Sequence, residues 1–537
     1  MEKNFLTLSE CLSKYPWNAE QRALLSRTEH PWSGYQLAIF SEVVFGSGNI
    51  AVNARAGSGK TTVVKACVQL LNAGEKNVVY LAFNKDIVEK TKEELSGMAE
   101  LRTTHSFGLR VIGKVTRYQH EILKKGTKYM PEIKERIDLP KGSEDYESAV
   151  GECDKLLKLC RVNLIKHNDF NAIRGIIDMY SISIYANEVE VVNNILAKCY
   201  RLGNVFNREG KEVIDYDDMI TLPNFLHQYF PKYRYVFIDE CQDLNTAQRE
   251  LMHYACRNGG RFIAVGDPNQ AINGFAGADC ESFAHIASLP NTKEMPLSVN
   301  YRCGKTIISL AQKIVPQIEA FEGAIDGTIT RISELKVSTF RPNDMVLCRT
   351  TAPLVSMCFK LIRNGVTALV KGRDIATNLL NLIDKSKAKS VTQFYDWAEK
   401  QKTKLLDDLV KKQGISRKEA SESSAYIGFC DKVESILAVG ENESNMVKVK
   451  DILNGMFTKD RRDNAVMLST AHRSKGLESD RVLILLPDKL PLYWKGQLDW
   501  EYQQERNLQY VAYTRAKKEL VFVTLQQKEL YECELSK

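Results

Sequence analysis

Asn49-Ile-Ala-Val-Asn-Ala54-Arg-Ala-Gly-Ser-Gly59-Lys60-Thr61-Thr62 decides the fold. The apolar run Asn49–Ala54 reads as a buried strand, and an amphipathic helix follows from Lys60 to about Asn72. A glycine-rich turn joins them and matches G-x-x-x-x-G-K-[ST] except at its first position, where Ala54 stands for Gly. Such a turn lets successive backbone N–H groups face phosphate oxygens, and the helix N-terminus adds the positive end of its dipole. The backbone of Ala56, Gly57, Ser58 and Gly59 forms the cradle, with Thr62 just beyond it. Lys60 would reach the β- and γ-phosphates, and the Thr61 hydroxyl would ligate Mg²⁺.

Working outward, Val78–Phe83 is a second strand, followed by a charged helix from Lys85. The pattern resumes at Tyr235–Ile238 and Arg261–Val265. A further set of short apolar runs lies at Met345–Cys348, Ala368–Val370, Val466–Ser469, Val482–Leu486 and Leu520–Thr524. Strands alternating with helices imply parallel α/β sheets. Each region is interrupted by helical sequence, about 111–213 in the first and about 371–462 in the second. The expected organisation is α/β, with two P-loop-type sheet domains, each carrying a mainly helical insertion. The segments are 1–110, 111–213 (insertion), 214–290, 291–370, 371–462 (insertion) and 463–537.

Nucleotide hydrolysis needs a second, acidic site. Tyr235-Val-Phe-Ile-Asp239-Glu240 is an apolar strand ending in two carboxylates. Asp239 would hold Mg²⁺ and Glu240 would act as general base on the attacking water. Alone, such a pair could equally cap a helix; beside a phosphate loop it implies an ATPase using Mg²⁺.

Composition constrains less. The chain has 537 residues, 44% apolar and 26% charged, with a formal charge of +7 that permits a polyanionic partner without requiring one. Thirteen cysteines from Cys11 to Cys533 include no C-x-x-C pair, so they read as reduced, mostly buried thiols. No run approaches a membrane span, and MEKNFLTLSE has no leader-like core, so the expectation is a cytoplasmic protein with no membrane partner.

The remaining motifs resemble those of the UvrD/Rep group of superfamily 1 helicases. They are Asp239-Glu-Cys-Gln-Asp-Leu-Asn245, Val265-Gly-Asp-Pro-Asn-Gln270-Ala-Ile-Asn273-Gly-Phe275-Ala276, Asn300-Tyr301-Arg302, Ser469-Thr-Ala-His472-Arg-Ser-Lys-Gly-Leu-Glu478, and Glu505-Arg-Asn-Leu-Gln-Tyr-Val-Ala-Tyr-Thr514-Arg515-Ala. Gln36, 24 positions before Lys60, is placed like that family's adenine-reading glutamine. The motifs run in family order from residue 36 to 515.

The resemblance implies RecA-like domains with ATP between them, and roles for individual residues. Gln270 would sense the γ-phosphate and couple it to the nucleic-acid site, Tyr301 would stack on adenine, Arg302 would contact the γ-phosphate, Glu478 would contact the nucleotide, and Arg515 would be an arginine finger. Leu81-Ala-Phe83-Asn84-Lys85 and Thr103-Thr-His105-Ser-Phe107 resemble DNA-contacting motifs, which implicates Phe83, Asn84, Thr103 and His105 in strand binding, as the resemblance also does Phe275, where the family has a tryptophan, and His472. Phe83 and Phe107 read equally well as core phenylalanines, and His105 as a satisfied core histidine.

The implied activity is an ATP-dependent DNA helicase that translocates on single-stranded DNA and acts at single-strand/duplex junctions. Its 3′→5′ polarity rests on resemblance alone. A translocase that does not separate strands, or an ATPase subunit of a larger nuclease, defence or repair complex, remains open. A loading protein is a possible partner, and a monomer is expected on purification. The sequence departs from the family at Asn273, Phe275 and Ala276, which stand for Tyr, Trp and Arg, and at Thr62, where an arginine is common. The 371–462 insertion is also reduced.

Overall fold

The computed structural model describes residues 6–26, 31–82, 85–116, 118–226, 229–274, 277–440, 443, 445–458 and 464–526. The chain divides into two units, one of Met1–Arg55 with Gly59–Ser298 and one of Val299–Lys537 with Ala56–Ser58.

In the first unit, six parallel strands form one sheet. They are β1 (Asn49–Ala54), β2 (Val78–Ala82), β3 (Glu100–Thr103), β4 (Tyr233–Ile238), β5 (Cys256–Gly266) and β6 (Thr292–Leu297), in spatial order β3-β2-β4-β5-β1-β6. The register sets β1 Val52 opposite β5 Val265, and β2 Leu81 opposite β4 Ile238. The phosphate turn after β1 and the carboxylates after β4 therefore leave the same edge of the sheet. Strands flanked on both sides by helices bury both faces, which is why β2 is apolar throughout.

Helices Met130–Arg136, Glu144–Val162, Phe170–Met179 and Glu188–Cys199 occupy the first insertion and pack around their own core, including Ile133, Cys153, Leu156, Val192 and Ile195. A short parallel pair, His120–Ile122 with Glu212–Ile214, lies at its two ends, in sequence that shows little strand signal. The fully buried Arg161 guanidinium donates to Asp215 Oδ1 and Oδ2, both at 2.9 Å, and to Asp218 at 2.6 Å, while Lys128 Nζ lies 2.9 Å from Asp218.

The second unit carries a seven-stranded parallel sheet. Its strands are β7 (Thr328–Ile332), β8 (Met345–Cys348), β9 (Ala368–Lys371), β10 (Phe457–Thr458), β11 (Val466–Thr470), β12 (Ser479–Leu485) and β13 (Ala516–Val523), in order β7-β13-β12-β8-β11-β9-β10. Its insertion differs in kind from the first. Val433, Ile436 and Val439 of helix Ser424–Gly440 share one core with Val346, Cys348 and Leu468 of the sheet. Asp431 on that helix accepts from the Thr351 and Ala352 N–H groups at 2.8–3.0 Å, satisfying the N-terminus of helix Ala352–Arg363.

The α/β class expected from sequence holds. The first unit extends to Ser298, past the expected segment end at 290, because Thr292–Leu297 adds the outer strand beside β1. No helix among the described residues is long and apolar enough to cross a membrane.

Candidate nucleotide site and nucleic-acid contacts

The phosphate turn has the backbone its glycines permit: φ is +64° at Gly57 and +80° at Gly59, values that L side chains rarely adopt. Helix Lys60–Leu71 follows with no side-chain cap at its N-terminus, so no side chain occupies the acceptor place beside its first N–H groups. Ser58 is buried, and its hydroxyl has no hydrogen-bond partner. A buried orphan hydroxyl on a loop of N–H donors fits an incoming phosphate. Gln36 opens the first turn of helix Gly34–Phe45, where Ser33 and Gln36 cap each other. Its Nε2 lies 3.9 Å from where a Gly59 Cβ would stand, which brings it to the phosphate turn.

Lys60 Nζ makes an ion pair with Glu240 Oε2 at 3.0 Å. Burial works to lower the Lys60 ammonium, but Glu240, Asp267 and Asp239 outweigh it and hold its pKa above the ordinary value. Asp239 is buried, and Thr61 Oγ1 donates to its Oδ2 at 3.1 Å and Tyr80 Oη at 2.8 Å. Burial, reinforced by the Glu240 charge, raises the Asp239 carboxyl above its usual range. Three carboxylates around one ammonium leave the pocket short of positive charge. Mg²⁺ usually takes one or two carboxylates together with phosphate oxygens, and Asp239 with Thr61 supplies that much.

Glu240 is held in the left-handed region, φ +52°, at the strand-to-turn junction, a conformation that costs a non-glycine residue about 1 kcal/mol or more. Gln270 is buried, and its Nε2 donates to Asp267 Oδ2 at 2.6 Å. Sequence reading missed Tyr80, Gln242 and Asp267 here. Tyr80 was legible only as an apolar strand residue, although a tyrosine in a buried strand needs a partner for its hydroxyl.

In the second unit, Arg302 Nε pairs with Glu478 Oε2 at 2.7 Å, and Lys517 Nζ with Glu478 Oε1 at 2.6 Å. Burial works to raise the Glu478 carboxyl, but Lys517 and Arg302 outweigh it and hold it below the ordinary value. Arg515 is buried, with Nε donating to Val511 O at 2.9 Å and Nη1 to Leu477 O at 3.1 Å. Tyr301 is exposed, its ring 5.0 Å from that of Phe321. An exposed ring on a polar loop is suited to stacking on a flat partner.

The strand-contact candidates divide. Phe83, Asn84 and Phe275 lie outside the described residues. Thr103 Oγ1 accepts from Ser106 N at 3.1 Å, so Thr103 caps helix Thr104–Val115. Phe107 is wholly buried against Phe230 and Tyr233, which settles it as core. His105 sits 5.8 Å from the ring of Tyr216, an exposed tyrosine that opens helix Tyr216–Thr221, beside the buried Asp215. Burial and then Lys158 hold the His105 imidazole below its ordinary pKa. His472 lines a cleft of about 300 Å³ in the second unit with Arg349, Arg473, Thr351, Asp431 and Trp494. Burial, then Arg349 and Arg473, depress its pKa to about 3.

Family comparison agrees with this chemistry. Residues 38–289 match the UvrD/REP helicase N-terminal domain, and 373–527 match the UvrD-like helicase C-terminal domain. The chain is 26% identical over 341 residues to the ATP-dependent DNA helicase Rep of Escherichia coli, covering 59% of this chain and 48% of that protein. It is 26% identical over 332 residues to F-box DNA helicase protein 1 of Schizosaccharomyces pombe, covering 55% and 35%. A stretch of 113 residues is 32% identical to the ATP-dependent DNA helicase PcrA of Staphylococcus epidermidis, covering 19% and 16%. The chain thus spans less than half the length of these relatives. With the phosphate turn, the strand-end carboxylates and the Arg302 and Arg515 motifs on one chain, and two domain models matched in order, the chain belongs to the UvrD/Rep family of helicases.

Proposed function

We propose that this chain is an ATP-driven motor on single-stranded DNA that unwinds duplex DNA, moving 3′→5′. The observation that carries the reading is the buried pairing of Lys60 with Glu240 beside the Thr61–Asp239 contact, in a chain of this family. In this reading Lys60 and the N–H groups of Ala56, Gly57, Ser58 and Gly59 hold the phosphates, and Gln36 and Tyr301 hold the adenine. Thr61 and Asp239 would hold Mg²⁺, which supplies charge neutralisation at the transferred phosphoryl group. Glu240 takes the proton of the attacking water, while Gln270 reads the γ-phosphate. Arg302 and Arg515 stabilise the developing charge on the transferred phosphoryl group. His105, Tyr216 and His472 contribute to the strand path, together with Phe83, Asn84, Thr103 and Phe275. Stacking on aromatic faces and cations along the backbone give the sequence-tolerant grip that stepping requires.

The test is unwinding of a duplex bearing either a 3′ or a 5′ single-stranded tail, with ATP hydrolysis followed in parallel and Lys60→Ala as the blank. Unwinding from the 3′ tail alone supports both activity and polarity. Strand-stimulated hydrolysis without separation favours a translocase or a subunit that needs a partner. Hydrolysis indifferent to nucleic acid overturns the motor reading.

A further inference from the structure

Tyr80 stands in the middle of β2, a strand apolar at its other positions, and is wholly buried. A tyrosine in such a strand carries a hydroxyl that has to find its partner inside the protein. Sheet register supplies one. Tyr80 lies opposite Phe237 of β4, and side chains alternate along a strand, so Asp239, two residues past Phe237, leaves from the same face as Tyr80. The Asp239 N–H donates to Leu81 O at 3.1 Å, which carries the ladder one residue beyond β4. Tyr80 Oη donates to Asp239 Oδ2 at 2.8 Å, and Thr61 Oγ1 donates to the same oxygen at 3.1 Å. On the other side of the carboxylate, Glu240 N donates to Oδ1 at 2.9 Å. A carboxylate offers about two acceptor places on each oxygen. Among the described residues, Oδ2 is therefore filled and Oδ1 keeps a place open.

We propose that Tyr80 is a positioning residue for the metal site: its hydroxyl engages Oδ2 and leaves Oδ1 as the oxygen that Asp239 offers to Mg²⁺. The inference rests on the reading of Asp239 and Thr61 as the metal site and adds the group that orients the carboxylate. An aspartate turns easily about its last side-chain bond, and its two oxygens exchange places on a half-turn. The phenol stops that turn, because its ring is fixed in the core and its one donor points at one oxygen. Thr61 cannot serve in its place, since its hydroxyl is itself assigned to the metal. Partners that orient a metal ligand through a second hydrogen bond are worth about 10–100-fold in metal affinity.

The experiment titrates Mn²⁺ into the full chain saturated with a non-hydrolysable ATP analogue. Mn²⁺ replaces Mg²⁺ because its paramagnetic resonance signal reports binding without turnover. Wild type, Tyr80→Phe and a chain carrying 3-fluorotyrosine at position 80, which keeps the hydroxyl, are compared. Tyr80→Phe is expected to raise the Mn²⁺ Kd about tenfold or more, while the analogue's Kd without metal holds within about threefold. The fluorotyrosine chain should match wild type. An unchanged Mn²⁺ Kd in folded Tyr80→Phe overturns this inference alone, as does an equal loss of metal-free nucleotide affinity, which would make the hydroxyl a packing group. Should Tyr80→Phe fail to fold, the fluorine resonance of the fluorotyrosine chain decides. It is expected to shift when Mg²⁺ joins the analogue-bound protein, and an unmoved resonance overturns the assignment. Wild type that binds the analogue but takes up no Mn²⁺ overturns the reading of Asp239 and Thr61 as the metal site, and this inference with it.

Discussion

Lys60 Nζ and Glu240 Oε2 stand 3.0 Å apart, so the cation proposed for phosphate and the carboxylate proposed for water hold each other. In the proposed motor, the nucleotide phosphates compete with Glu240 for Lys60. Glu240→Gln removes Lys60's competitor and the general base together. ATP affinity, read by a fluorescent analogue, should hold or rise, while turnover falls on the order of 10²–10⁴-fold. Lost affinity with normal turnover would remove Glu240 from this role.

Arg515 does structural service as well as its proposed chemical one. Its guanidinium satisfies the Val511 and Leu477 carbonyls in a buried position. Arg515→Ala should keep ATP binding within a few-fold and lose turnover by about 10³-fold or more. It should also lower thermal stability by roughly 1–3 kcal/mol, because the carbonyls lose their donors. Calorimetry and single-turnover hydrolysis on the same preparation separate the two effects.

The Arg161 cluster is a stability element of the first unit. Arg161→Met leaves Asp215 and Asp218 buried with Lys128 as the nearby cation. Breaking a buried ion network from one side costs about 3–5 kcal/mol. Urea unfolding should show that loss; a midpoint unchanged from wild type would mean the aspartates rearrange to water.

His472 makes stability pH-dependent. Its folded pKa of about 3 lies below that of a free imidazole, near 6.5. The unfolded chain therefore takes up the proton first as pH falls. Its contribution is full above pH about 6.5 and is lost progressively on acidification toward pH about 3, at no more than about 1.4 kcal/mol per pH unit. The cleft holds Arg349, Arg473 and Asp431 around the ring, so the quantity to measure is the difference between wild type and His472→Gln. His472→Gln should flatten the acid slope of the unfolding free energy. Parallel curves from pH 7 to 5 would show that the ring does not carry this dependence.

In the two large sheets, strand reading failed in a systematic way. The nine strands legible as apolar runs are the interior strands of the two sheets. Glu100–Thr103, Thr292–Leu297, Thr328–Ile332 and Phe457–Thr458 escaped notice, and these are the four edges of the two large sheets. An interior strand between helical layers must be apolar on both faces, whereas an edge strand keeps polar side chains that leave little periodic signal. Thr292-Lys-Glu-Met-Pro-Leu297 shows the effect, with two exposed charges and a proline in an edge position.

By itself the sequence determined the phosphate turn, the Asp239–Glu240 pair, the parallel α/β class and the family, because each rests on residue types at fixed local spacing. Glycines permit positive φ, a lysine follows the turn, and carboxylates end an apolar strand. Tertiary structure alone decided what those groups touch. Tyr80 reaches Asp239 across adjacent strands, and Gln242 bridges Glu240 to Asp267. Asp431 caps a helix some 80 positions earlier in the chain, making the second insertion part of the sheet's own core. Such contacts join residues far apart in sequence, and their partners follow from sheet register and helix packing, which no local spacing encodes.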